Sequence, residues 1–136
     1  MSASTKKAKT IRRILTDRAP KPAGHYSQAT VCDGLVHVAG QLAIDPATGE
    51  RKLGSVEEQT ERVLRNIEAI LDAAGSDFGH VLKMTVYVAD IEHWAAVNAV
   101  YARVLGEHRP ARAIVPTKEL HHGFLVEMDA VAVTRD

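Results

Sequence analysis

The stretch from Ser55 to Gly75 leaves the chain the least freedom. Ser55 and Glu58 stand three apart as a capping box, in which each side chain covers a backbone N–H that a helix start leaves unpaired. Val56, Val63, Leu64, Ile67, Ile70, Leu71 and Ala74 then fall at the spacing of one helix face. Gly75 supplies the left-handed residue that ends a helix. A helix with one apolar stripe has to lie on another apolar surface, and the flanking segments offer one. Leu35 to Leu42 is rich in β-branched residues and reads as a strand, followed by the turn Asp45-Pro46-Ala47-Thr48-Gly49. Leu82 to Val88 alternates, which predicts Leu82, Met84, Val86 and Val88 on one face and Lys83, Thr85 and Tyr87 on the other.

A second helix is expected from a cap near Asp90, with Trp94, Val97, Tyr101, Val104 and Leu105 as its buried stripe and Gly106 as its stop. Ile11 to Thr16 and Arg112 to Val115 read as short strands, and Ala19 to Gly24, with two prolines, as a loop. Phe124 to Val133 reads as a longer strand. Apolar residues on both its faces predict cover on two sides, the second cover being another subunit. The order strands, helix, strand, helix, strands predicts an α+β domain over residues 11–136, with two helices on one face of a mixed sheet. Residues 1–10 are polar and read as a disordered basic tail.

A chain of 136 residues suits a single domain. Its one cysteine, Cys32, forms no internal disulfide and reads as a small packed hydrophobe, in keeping with a reducing cytoplasm. No apolar run is long enough to span a bilayer, and no secretory leader is read. Net charge is zero, yet Lys6, Lys7, Lys9, Arg12, Arg13, Arg18 and Lys21 crowd the start, opposed only by Asp17. No aromatic residue is interleaved there to stack on bases, so the tail reads as solvated rather than as a nucleic-acid arm.

Two kinds of chemistry find no footing. The seven histidines lack zinc-ligand spacing, and His121 and His122, if on a strand, point to opposite faces. The glycines form no phosphate loop, so neither a metal nor a nucleotide cofactor is expected. What remains is Arg112 in an apolar strand and Glu127 between apolar neighbours, sharing a face with Leu125, Asp129 and Val131. A carboxylate there is costly unless paired, and Arg112 is an available partner. Three readings stand: a structural Arg–Glu pair at a subunit seam, an edge strand facing water, or an anion-binding arginine beside a general base.

Several segments, in one order, resemble a known family. Pro22-Ala23-Gly24-His25-Tyr26-Ser27-Gln28-Ala29 is similar to its P-x-G-P-Y-S-Q-A loop. Val38-Ala39-Gly40-Gln41-Leu42 with Asp45 to Glu50 resembles its S-G-Q strand and D-P-x-T-G-E turn. Gln59 to Ala74, Lys83 to Val88, Val97 to Tyr101, Pro110-Ala111-Arg112 and Val126 to Ala132 continue in register. Over residues 11 to 134 the chain resembles the RidA/YjgF family of reactive-intermediate deaminases, also called the endoribonuclease L-PSP family.

The resemblance implies a chorismate-mutase-like (YjgF-like) fold, a homotrimer with active sites in the clefts between subunits, and hydrolysis of 2-imino and 2-enamino acids such as 2-aminoacrylate, 2-iminopropanoate and 2-iminobutanoate. Ammonia and a 2-keto acid would be the products, with no cofactor. It assigns Arg112 to the substrate carboxylate and Glu127 to the attacking water. Tyr26, Gly40, Asn98 and Ile114 would line the pocket, Ile114 where many members have cysteine. His25 replaces a proline, and Pro116 to Phe124 departs from the family pattern at a segment that borders the cleft; His121 and His122 within it read as a surface turn, with a place in the site as the alternative. Alternatives are a deaminase of a larger substrate resembling 2-aminomuconate, and a ligand-binding, chaperone-like or ribonuclease trimer. No histidine or lysine set here has the acid–base logic of RNA cleavage.

Overall fold

A computed structural model describes residues 8–136; residues 1–7, most of the expected tail, lie outside the described residues. Lys9, in the remainder of that tail, pairs with Asp33. The strands are β1 (Arg12–Ile14), β2 (Ala29–Cys32), β3 (Leu35–Gln41), β4 (Val81–Val88), β5 (Ala111–Pro116) and β6 (Val126–Val133); the helices are α1 (Val56–Ala73) and α2 (Trp94–Leu105). They form one sheet in the order β1-β2-β3-β6-β4-β5. Only β4 and β5 run parallel, joined by α2 as parallel neighbours must be by a crossover.

Both helices lie on one face of this mixed sheet. The helix face collects Val36, Val38, Met84, Val86, Val88, Val126, Met128, Ala130 and Ala132, all buried. Every predicted residue of the α1 stripe is buried too. Its start is capped as expected, with Ser55 Oγ accepting from Glu58 N at 3.1 Å, and Gly75 turns at φ 81°.

Two polar residues on that stripe carry weight. Gln59 Oε1 accepts from Leu125 N at 2.8 Å, just ahead of β6. Asn66 Nδ2 donates to the carbonyls of Leu42 at 3.1 Å and Ile44 at 3.0 Å, just past β3. One helix thereby clamps the two strands that carry Gly40 and Glu127. Asn66→Ala strands both carbonyls and is expected to cost about 2–5 kcal/mol, read by urea unfolding.

Three expectations are corrected. Leu82 is 49% exposed and Val81 is buried, because a register shift between Val81 and Lys83 changes the phase of β4. Trp94 is 43% exposed at the start of α2, and Val100 takes a buried place on that helix. Asp90 caps a 3₁₀ turn, Ile91–His93, ahead of the α-helix. The surface turn expected at His121 and His122 is present: both are exposed in a 3₁₀ turn, His121–Gly123, before β6, with His122 at φ 59° and the two rings stacked with centroids 3.6 Å apart. On β6 one face is buried and the other half-exposed, so the described residues supply cover on one side only.

Candidate functional site

Trp94, Asn98 and Tyr101 stand at i, i+4 and i+7 on α2, hence on one helix face. All three meet Arg112. Its Nη1 donates to Asn98 Oδ1 at 2.8 Å, and its Cζ lies 4.8 Å from the Tyr101 ring centroid and 5.8 Å from that of Trp94. Stacking and one hydrogen bond thus orient the guanidinium plane. No other acceptor among the described residues takes a bond from Arg112, and no carboxylate pairs with it. Its remaining N–H groups are open to a ligand. Beside it, between α2 and the start of β5, lies a cleft of about 510 Å³.

Tyr101 is 6% exposed, and its hydroxyl has no hydrogen-bond partner among the described residues. Burial pushes its pKa up to about 12, against the opposing pull of Arg112, so the group stays protonated. An unpaired buried hydroxyl costs stability, whereas the ring serves the arginine. Tyr101→Phe is therefore expected to stabilise the ligand-free protein by about 1 kcal/mol. A clear loss of stability in urea would contradict this account of the hydroxyl.

Glu127 lies elsewhere. Arg112 aligns with the buried Met84 in the parallel ladder, so it faces the helices; Glu127 aligns with Tyr87, whose row points the other way. The expected Arg112–Glu127 pair is thus not formed within one chain, because the pleat sends the two side chains to opposite faces of the sheet. Glu127 instead folds over Gly40. A Cβ there would stand 3.2 Å from the Glu127 carboxyl carbon and closer still to Oε2. Gly40 sits within the irregular stretch of β3 between Val38 and Gln41, where only a missing side chain admits the carboxylate. Burial raises the pKa of Glu127, Asp129 adds to this, and His121 opposes it. Asp129 accepts from the Tyr87 hydroxyl at 3.3 Å.

The other expected pocket residues divide between these places. Asn98 belongs with Arg112. Ile114 follows Arg112 on the helix side of β5, partly buried against the core. Tyr26 is 52% exposed on the loop before β2, its hydroxyl accepting from Ala23 N at 3.3 Å. That loop reaches β3 near Gly40, where Ala39 N donates to the Gln28 carbonyl at 2.9 Å. Gln28, fully buried, anchors the loop by donating to the carbonyls of Thr16 and Pro20, each at 3.0 Å. Sequence reasoning assigned no role to the polar anchors Gln28, Gln59 and Asn66. The signal was present for two of them: Gln59 and Asn66 occupy stripe positions three beyond Val56 and Val63.

A mixed sheet with both helices on one face is the YjgF-like architecture. The chain belongs to the RidA/YjgF family: the family model described as endoribonuclease L-PSP matches residues 16–134. It is 47% identical over 119 residues to a RutC family protein of Pyrococcus abyssi, covering 88% of this chain and 94% of that one. It is 44% identical over 124 residues to the 2-iminobutanoate/2-iminopropanoate deaminase of Capra hircus, covering 90% of each. The crystal structure of RidA from an Antarctic Psychrobacter superposes with a TM-score of 0.86 at 38% identity, covering 90% of this chain and 98% of that one.

Proposed function

We propose that this protein is a hydrolytic deaminase of small 2-imino and 2-enamino acids, acting in the cytoplasm as a homotrimer whose sites are completed between subunits. The observation that carries the reading is Arg112: oriented by Asn98 and two rings, without a carboxylate of its own, and open to a cleft. That is a receptor for a small carboxylate. The activity named for the goat relative supports the choice of substrate.

Because Arg112 and Glu127 face opposite ways in one chain, a site that uses both is assembled from two copies. β5 is an edge strand, and Leu35 and Val115 lie exposed on the uncovered side of the sheet. The edge of one copy against the open face of the next covers both liabilities, and three such contacts close a ring. Tyr26 and Gly40 would then come with Glu127 from the second copy, while Arg112, Asn98 and the backbone at Ile114 come from the first.

The chemistry asks little of such a site. An enamine tautomerises to an imine whose carbon is already electrophilic. Arg112 holds the carboxylate, and Glu127 takes a proton from water as its oxygen bonds to that carbon. The nitrogen gains a proton, and the carbinolamine breaks its C–N bond to release ammonia and a 2-keto acid.

Co-expressing Arg112→Ala and Glu127→Gln chains tests the assembly. Each variant alone is inactive. In random mixed trimers roughly one site in four combines an intact arginine with an intact glutamate from its neighbour, so about a quarter of the activity returns. A mixture as inactive as its parts places both residues in one chain's site and overturns the shared-site reading.

A further inference from the structure

We propose that the cleft between α2 and β5 binds a second carboxylate, so that the preferred ligands are 2-imino and 2-keto dicarboxylates rather than the small monocarboxylates. Two arginines, Arg112 and Arg109, line the cleft together with Tyr101 and Leu105. Neither arginine has an ion pair among the described residues; Glu107, in the same turn as Arg109, does not line the cleft. The backbones of the two arginines stand no more than about 10 Å apart, so a ligand with two carboxylates can answer both cations at once.

Two further features mark the cleft as built for a ligand. Tyr101 lines this same cavity, and its hydroxyl is a buried donor with no partner among the described residues. Such a group is expensive to leave unpaired, and an acceptor oxygen brought by a ligand that shifts the ring would satisfy it. The turn that presents Arg109 is also held in place. Gly106 takes φ 67°, and His108 Nε2 donates to the Val81 carbonyl at 2.8 Å. Leu105 and Ala102 offer apolar surface to the methylenes that separate two carboxylates. A monocarboxylate such as 2-iminopropanoate engages Arg112 and leaves Arg109 unanswered.

This inference shares Arg112 with the proposed deaminase but is read by binding, so the two fail separately. Calorimetric titration at fixed ionic strength compares 2-oxoglutarate with 2-oxobutanoate. Wild type is expected to bind the dicarboxylate at least tenfold more tightly. Arg109→Gln should bring 2-oxoglutarate to the affinity of 2-oxobutanoate and leave 2-oxobutanoate unmoved; Arg112→Ala should lose both. Equal affinities in wild type, or a preference that survives Arg109→Gln, overturns the second subsite. A protein that prefers 2-oxoglutarate yet hydrolyses no imine keeps the subsite and refutes the deaminase.

Discussion

Arg112→Ala is expected to lower kcat/KM for 2-iminopropanoate at least about 100-fold, with far-UV circular dichroism and subunit assembly unchanged. On the proposed function, that loss would follow from removing a charge-assisted, two-point grip on the substrate carboxylate. The fold should tolerate the change, because the arginine lies on an edge strand at a cleft rather than in the core. Arg112→Lys separates charge from shape. A lysine retains the positive charge but neither the planar fork nor the stacking on Tyr101 and Trp94, so an intermediate rate is expected. Ammonia release from enzymatically generated imine provides the measurement. Equal rates for wild type and the alanine variant would remove the site assignment altogether.

Glu127→Gln is expected to lower kcat by about 10²–10⁴, the range that a positioned general base supplies. Gly40→Ala should imitate much of that loss at little cost in stability. The new methyl group meets only the far end of a flexible side chain, so the carboxylate swings aside and the backbone stays. The pH profile adds a signature. Burial and Asp129 hold the Glu127 pKa above its ordinary value, so the acid limb of kcat/KM should lie above the usual carboxylate range and vanish in Glu127→Gln. The fold favours the protonated form. Its contribution to stability is therefore full at acid pH and fades as pH rises through the raised pKa. Glu127→Gln should accordingly unfold at a temperature no lower than wild type at neutral pH, although it is inactive. A large drop in melting temperature would mean that the carboxylate is structural.

How much of the site could be read in advance differs by residue. Arg112 and Glu127 stand out because charged groups on apolar strands need a reason, and that argument holds for each alone. Their pairing does not follow, since it depends on which way each strand's pleat turns relative to the helices. The alternation of β4 reads cleanly from Met84 to Val88 and misplaces Leu82, because a bulge leaves no trace in local composition. Trp94 has the right spacing for the α2 stripe, yet it stacks toward a guanidinium that arrives from a strand 18 residues later.

Local sequence was enough for α1, from its cap at Ser55 to its stop at Gly75, for the alternation of β4 from Met84 to Val88, and for the layering of helices on a sheet. Those features depend on neighbours within a turn or two of chain, where periodicity and capping act. Tertiary structure alone decided that Arg112 rests on Asn98 and Tyr101, that Glu127 folds over Gly40, and that the two side chains face opposite sides of the sheet. Such contacts are set by strand order and by the phase of each pleat, and a single bulge or crossover shifts both without altering the local pattern.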